Sequence, residues 1–189
     1  MVLNKTLENA TGNLENDVNS FDLMVTFKQG IGGSYPEIGG MNELELMLKN
    51  TKSYYIKETE FYDVVTVDLT IEDAYKSIQE LNKLSSEHIQ KAVLIDAIVP
   101  SIIDQIIDTA IEVASIKMSK KETFSIKCEL RSKHLEALGE VINEIPREVR
   151  KKLNLECVNE NPDWIILIEE FGTKTAIAIQ HPDEIFINY

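Results

Sequence analysis

The most informative part of the sequence for the fold is Asn161-Pro-Asp-Trp-Ile-Ile-Leu-Ile-Glu169, followed by Lys174-Thr-Ala-Ile-Ala-Ile179. Trp164 to Ile168 is entirely apolar, which predicts a β-strand. Thr175 to Ile179 has the same character, and a turn at Gly172 separates the two runs. The last third of the chain is therefore predicted to contain a β-hairpin.

Another strand and two helices are predicted upstream of this hairpin. Apolar and polar residues alternate from Phe124 to Arg131, which predicts a strand that carries its charges on one side. The apolar spacing from Leu135 to Ile145 predicts a helix, which Pro146 is expected to interrupt before the basic segment REVRKKL. An earlier helix is expected to begin at Pro100, because apolar residues from Ile102 to Ala114 form one face.

The first half of the chain predicts a strand, a helix, two strands, a helix and a strand. The alternation from Phe21 to Phe27 predicts a strand with one buried face, and a helix follows from Met41. Tyr54 to Lys57 and Tyr62 to Leu69 predict two further strands. Thr70 is expected to cap the second helix, and Ala92 to Val99 is predicted to be one central strand. This order is the ferredoxin-like βαββαβ arrangement.

The predicted fold class is therefore α+β, with an N-terminal ferredoxin-like βαββαβ domain at residues 21–99 and an α/β domain at residues 100–189. Residues 1–20 are rich in Asn, Glu and Thr, and this composition predicts a flexible tail.

The distribution of charge limits where a nucleic acid could bind. The net charge of −13 is unfavourable for phosphate contacts as a whole. Residues 120–160 differ from the rest, because their nine lysines and arginines balance eight glutamates and include all three arginines of the chain. A polyanion is therefore expected to bind in this middle stretch.

Several classes of protein are excluded by the same composition. No apolar run is long enough for a membrane span, and no secretion signal is evident, so a cytoplasmic location is expected. Cys128 and Cys157 lie far apart without metal-ligand spacing, and the three histidines are scattered. Neither a metal site nor a cofactor is predicted.

Three pieces of the sequence together resemble the THUMP domain. They are FSIKCELRSKH from Phe124 to His134, LGEVI from Leu138 to Ile142, and the hairpin with its preceding Asn161-Pro-Asp163 turn. In this family an R-x-K-H corner follows the first strand and an N-P-D turn precedes the hairpin. After His134 the family usually has a proline and then Thr-Ser, whereas this chain has Leu135-Glu-Ala-Leu138. The resemblance covers roughly residues 100–189.

Residues 21–99, by arrangement, and Gln180 to Phe186 resemble the small archaeal and eukaryotic THUMP-containing partner proteins of tRNA cytidine acetyltransferase. The resemblance implies a non-catalytic tRNA-binding protein without a catalytic residue. It also implies binding of the tRNA acceptor region and presentation of the tRNA to a separate modifying enzyme. No DNA and no membrane are expected as partners.

The candidate RNA-binding residues form two groups in the basic stretch. At the predicted corner, cations at the end of a strand and free N–H groups at a helix N-terminus can converge on a phosphate, and an imidazole can stack on a base. The candidates are Lys127, Arg131, Lys133 and His134, and then Arg147, Arg150, Lys151 and Lys152. The alternative interpretations are a solvated turn and an exposed helix face that Glu144 and Glu148 partly neutralise.

Two other functions compete with RNA binding. The glycine-rich segment from Gly30 to Gly40 could hold a nucleotide phosphate, but it lacks both known phosphate fingerprints, so a flexible surface loop is favoured. The acidic first half could instead make the chain a protein-interaction adaptor that does not bind RNA directly.

Overall fold

The structure of the chain is a computed structural model. It describes residues 22–28, 36–83, 86–131 and 138–188, without the side chains of residues 36, 37 and 138–142. The predicted tail at residues 1–20 lies outside the described residues, as do Lys133 and His134. No helix in the described ranges has the length and apolar character needed to cross a membrane.

The first of two sheets is built mainly from the first half of the chain. Its strands are antiparallel neighbours in the order β4-β1-β3-β2, and β10 (Phe186–Ile187), from the end of the chain, pairs with β4 at the edge. The elements in chain order are β1 (Leu23–Phe27), α1 (Pro36–Leu48), β2 (Tyr54–Glu58), β3 (Val64–Leu69), α2 (Ile71–Lys83) and β4 (Ile89–Leu94).

The second sheet has the order β5-β9-β8-β6-β7. Strand β6 is parallel to both of its neighbours, β7 and β8, whereas β9 is antiparallel to β8 and β5. Its elements are β5 (Ala97–Pro100), α3 (Ile103–Lys117), β6 (Thr123–Leu130), α4 (Leu138–Leu153), β7 (Glu156–Cys157), β8 (Trp164–Phe171) and β9 (Lys174–Gln180), and a short 3-10 turn (Pro182–Glu184) then leads to β10 (Phe186–Ile187).

Three apolar clusters arrange these elements in four layers. Residues of α1 and α2, such as Leu44 and Ile78, pack on the outer face of the first sheet. Residues of α3 and α4 cover the outer face of the second sheet in the same way. A third cluster joins the inner faces of the two sheets, with Met24 and Val93 from one and Leu167 and Ala178 from the other. The order of the layers is therefore helix, sheet, sheet, helix.

The inner contact corrects the prediction for the first strand. Residues Leu23 to Phe27 alternate as expected, but all five are buried, because Met24 and Thr26 face the second sheet. A single alternating pattern reveals one covered face and cannot show that a second layer covers the other.

The predicted strand from Ala92 to Val99 is wrong, because it is two strands in different sheets. The chain passes from β4 to β5 at Ile95 and Asp96. The Asp96 carboxylate accepts hydrogen bonds from the backbone N–H of Ile179 at 2.7 Å and from Lys117 Nζ at 2.9 Å. Burial raises the pKa of Asp96, against the opposing effect of Lys117. This carboxylate holds the point at which the chain changes sheets.

Two expected helix boundaries also differ from the structure. Helix α4 continues through Pro146, which lies in its middle. Pro100 is the last residue of β5, and α3 begins only at Ile103. Thr70, in contrast, caps α2 as predicted, since its Oγ1 accepts the N–H of Asp73 at 3.2 Å.

The glycine-rich segment is helical over its last five residues, where a flexible loop was predicted. Gly39 and Gly40 belong to α1, and a Cβ atom on Gly40 would lie 2.3 Å from the Phe27 ring. Gly40 therefore allows the helix to approach β1 closely, and Gly39 allows it to approach the ring of His88. Residues 30–35 of the segment lie outside the described residues.

Candidate nucleic-acid interface

The charged side of β6 faces the first sheet. Glu129 forms an ion pair with Lys91 of β4, at 2.7 Å between Nζ and Oε2. Arg131, directly after the strand, also reaches across to the first sheet. Lys127 lies on this side as well but is exposed. The alternation on β6 was predicted correctly, whereas the partner of its polar side could not be read from the sequence.

The side chain of Arg131 links the two sheets. Its Nη1 lies 3.2 Å from Asp63 Oδ2, and its Nη2 donates to Thr26 Oγ1 at 3.1 Å. Nη2 also pairs with Glu129 Oε2 at 3.2 Å. The Arg131 side chain is only 13% exposed, and that of Asp63 is 10% exposed.

This environment is unfavourable for Arg131 as a ligand of an RNA phosphate, and its binding to RNA stays a prediction. The guanidinium is already enclosed by carboxylates, and releasing it would leave Asp63 buried without a cation. A further carboxylate, Glu170, accepts the backbone N–H of Arg131 at 3.1 Å. The potential around the guanidinium is therefore unfavourable for a second anion. Lys133 and His134, the other members of this corner, lie outside the described residues.

Another ion pair lies deeper between the sheets. Lys91 Nζ contacts Oε1 of Glu169, and the two side chains are 5% and 1% exposed. Burial raises the pKa of Glu169, while the positive charge of Lys91 opposes that shift. This pair and Arg131 show that most of the charge between the sheets serves their mutual attachment.

The second predicted group of cations lies on the surface. Arg147, Arg150, Lys151 and Lys152 are all exposed on the last turns of α4, and we call them the α4 patch. Arg147 pairs with Glu144 at 2.5 Å, and Lys151 approaches Glu148 at 3.5 Å. Four cations thus meet two carboxylates, so the patch is net positive even though the predicted partial neutralisation is present.

Helix α4 ends directly after these cations, before Asn154. Asn154 has a φ of 55°, in the left-handed region, and its N–H donates to the carbonyl of Arg150 at 3.0 Å. Asparagine tolerates this conformation and ends the helix. Cations in a last turn also interact favourably with the helix dipole.

The topology of the second sheet separates the two predicted groups. Because β6, α4 and β7 form a crossover between parallel strands, the end of α4 lies where β6 begins, and Arg131 lies where β6 ends. Strand β6 has eight residues, which corresponds to roughly 23 Å between these two ends. The candidate residues therefore do not form one continuous site.

The same topology brings two further lysines towards the α4 patch. Lys120 and Lys121 are exposed in the turn just before β6, at the end of the sheet where β7 also begins. They were not among the candidate RNA-binding residues. Their position in a basic stretch was visible in the sequence, but their proximity to α4 depends on the parallel pairing of β6 and β7.

The Asn161-Pro-Asp163 turn has a structural role in the described chain. Asp163 Oδ2 accepts hydrogen bonds from the backbone N–H of Thr123 at 2.7 Å and from its hydroxyl at 2.8 Å. These bonds join the starts of β6 and β8, and they lower the pKa of Asp163. His181 stacks on Trp164 beside this turn, with ring centroids 3.7 Å apart.

We expect the stability difference between the wild type and Asp163→Asn to depend on pH. A carboxylate whose pKa is lowered by folding stabilises the folded state above its unfolded pKa, and this contribution disappears as the pH falls through the folded value. Thermal unfolding should therefore show a lower Tm for the variant at pH 7 and convergence of the two proteins towards pH 2. A Tm difference that stays constant with pH would contradict this role of the charge.

The described part of the chain contains no group of three or more His, Cys, Asp or Glu residues placed to hold a metal ion. Its two cysteines are half-buried and free. Burial raises the pKa of Cys128 to about 12, so its thiol is protonated at neutral pH.

Comparison with known proteins identifies the second half of the chain. The model of the THUMP domain matches residues 100–180, so the chain contains this domain. The match ends where the chain leaves the second sheet and crosses to β10 in the first. A search of proteins with curated functions gives no match.

Several solved structures share the fold over most of this chain. PH1313 from Pyrococcus horikoshii aligns with a TM-score of 0.67 and 16% identity, covering 89% of this chain and 55% of that chain. A 4-thiouridine synthetase solved with RNA and ATP aligns with a TM-score of 0.61 and 14% identity, covering 90% of this chain and 42% of that chain. TrmN from Thermus thermophilus aligns with a TM-score of 0.55 and 11% identity, covering 87% of this chain and 47% of that chain. This chain thus spans about half the length of these proteins, and at such identities the likeness shows the fold.

Proposed function

We propose that the THUMP domain of this chain binds tRNA through the α4 patch, and that the chain presents the tRNA to a separate modifying enzyme. The observation that carries the proposal is the match at residues 100–180 together with an exposed cluster of cations inside it. Exposed lysines and arginines bind phosphates by releasing counterions, and they track the backbone without reading the sequence.

The solved neighbours support RNA as the ligand. The 4-thiouridine synthetase with the same fold was solved in complex with RNA. The chain aligns with less than half of that synthetase, so its catalytic activity is not transferred to this protein. We assign tRNA binding to this chain, and the resemblance of its sequence to non-catalytic partner proteins supports a separate enzyme for the chemistry. The resemblance of the sequence favours a tRNA cytidine acetyltransferase as that enzyme and the acceptor region as the part of the tRNA that is bound.

The α4 patch carries most of the expected affinity in this proposal. In filter binding with total tRNA, changing all four patch residues to alanine should weaken binding at low salt by roughly tenfold or more. The slope of log affinity against log salt should also fall by about 2, because fewer counterions are released. We also expect the affinity of the wild type for tRNA to fall steeply as the salt concentration rises.

A matched variant controls for the loss of four positive charges. Lys49, Lys52, Lys76 and Lys83 are exposed on the first half of the chain, and their change to alanine alters the net charge equally. This control should bind tRNA like the wild type. Equal losses in both variants would mean that only the net charge matters, and the proposed site would be wrong. No binding of the wild type at low salt would favour a protein-interaction adaptor instead.

The role in modification is tested by the nucleoside profile of tRNA from cells that lack this protein. We expect N-acetylcytidine to disappear and to return when the wild-type chain is supplied. The alanine variant of the α4 patch should restore it poorly. An unchanged acetylcytidine content would exclude the acetyltransferase as the partner without affecting the binding result.

A further inference from the structure

An apolar cavity opens at the end of the first sheet, beside the start of α1. It has a volume of about 310 Å³, and its walls include Phe27, Met41 and Val65. Ile38 and Tyr62 form part of its rim and are 64% and 63% exposed. Adjacent exposed apolar side chains that border a pocket form a patch of the kind that marks interaction sites.

The size of the cavity limits its occupant. A volume of this order lies at the lower limit of small-molecule sites. Its described lining is mostly apolar, and the Thr59 hydroxyl is occupied, since it donates within its own turn and accepts the N–H of Phe61. Such a cavity suits one bulky apolar side chain.

The charge around the cavity indicates what flanks that side chain. Glu58 belongs to the lining, and its described members include no lysine or arginine. Glu60 and Asp63 lie close by in the same turn, and Arg131 forms an ion pair with Asp63. A nucleic-acid backbone would be repelled here, whereas lysine or arginine beside the apolar anchor would be attracted.

The cavity also lies away from the α4 patch. It borders the turn that holds Asp63, and Asp63 contacts Arg131 at the end of β6. The α4 patch lies at the start of β6, roughly 23 Å away along the strand. A tRNA on the patch therefore leaves the cavity free for another molecule.

We infer that this cavity docks a protein segment in which a bulky apolar side chain is flanked by lysine or arginine. The identification of that partner with the tRNA-modifying enzyme rests on the proposed function, whereas the docking itself does not. The cavity in the acidic first half of the chain thus binds the protein partner, and the α4 patch binds the RNA.

Two labelled peptides test the inference on the full chain by fluorescence polarisation. Both carry a central Leu-Trp pair, with two lysines on each side in one peptide and two glutamates on each side in the other. We expect the lysine peptide to bind at least about tenfold more tightly, because its charges complement those of the rim. Equal or weaker binding of the lysine peptide overturns the inference.

A substitution on the rim separates the cavity from other surfaces. Ile38→Lys places a cation where the anchor would enter, and we expect it to weaken binding of the lysine peptide by about tenfold or more. Ile116→Lys is the matched control, since Ile116 is also an exposed helical isoleucine, 48% exposed, on α3. Both variants should unfold at the wild-type temperature. Equal peptide binding by all three proteins places the peptide elsewhere and overturns the inference.

Measurements with RNA keep the two proposals distinguishable. Ile38→Lys should lose the peptide but keep tRNA, and the α4 patch variant should lose tRNA but keep the peptide. If Tyr62→Ala reduces binding of a uridine oligonucleotide about tenfold, the cavity holds a nucleobase by stacking and the docking inference is wrong. If neither the wild type nor any variant binds tRNA while the peptide results hold, the proposed function is wrong and the docking inference remains.

Discussion

Lys91→Met is expected to destabilise the folded chain by about 3–5 kcal/mol at pH 7, the range for breaking a buried ion pair. The substitution removes the cation that contacts Glu169 and Glu129. Glu169 is 1% exposed and would remain buried between the sheets without a counter-charge. Urea unfolding at pH 7 measures the loss as a lower midpoint at an unchanged slope.

The loss caused by Lys91→Met should shrink as the pH falls. Burial already raises the pKa of Glu169, and removing Lys91 removes the effect that opposes this shift. A carboxyl with a raised folded pKa stabilises the folded state at low pH, and this contribution is lost as the pH rises through the folded value. The variant should therefore recover part of its stability between pH 7 and pH 4.

A double substitution identifies the buried charge as the cause. Lys91→Met with Glu169→Gln removes both charges, and such replacements are often close to neutral. We expect the double variant to be clearly more stable than Lys91→Met alone at pH 7. If the two unfold at the same urea concentration, lost packing of the lysine stem explains the effect and the charge does not.

Arg131→Ala is expected to reduce stability by about 2–3 kcal/mol, the range for losing hydrogen bonds to a charged group, while the folded protein keeps its affinity for tRNA. The reason is that the guanidinium joins Asp63, Thr26 and Glu129, and its loss leaves Asp63 as a carboxylate that is 10% exposed. Urea unfolding gives the stability, and filter binding at a temperature where the variant is folded gives the affinity.

Arg150→Ala is the matched comparison for Arg131→Ala. Arg150 is exposed in the α4 patch, so its loss should leave the urea midpoint unchanged and weaken tRNA binding severalfold. The two arginines are thus expected to give opposite results in the two measurements. Weaker tRNA binding by Arg131→Ala at unchanged stability would restore Arg131 as an RNA ligand.

The elements of the fold were largely predictable because their signals are local. The alternation around Phe124, the cap at Thr70 and the apolar hairpin from Trp164 each depend on neighbours within a few residues. The strand expected from Ala92 to Val99 failed for the opposite reason. Its break at Asp96 depends on Lys117 and Ile179, which are distant in sequence.

The candidate site was only partly predictable. The position of the α4 cations on one helix end could be predicted, because the basic residues are nearly consecutive in the sequence, and their binding to RNA stays a prediction. The ion pairs of Arg131 and the cavity near Ile38 could not be predicted from the sequence. Arg131 is 68 residues from Asp63 and 105 from Thr26, and no pattern in the sequence relates them.

Local patterns in the sequence specify most of the strands and helices, the concentration of cations in residues 120–160 and the presence of the THUMP domain. Which cations face solvent depends on the tertiary structure, because the first sheet covers the polar side of β6. A periodic pattern specifies which side chains share a face, whereas the desolvation of a charge and the partner that compensates it are properties of the packed layers.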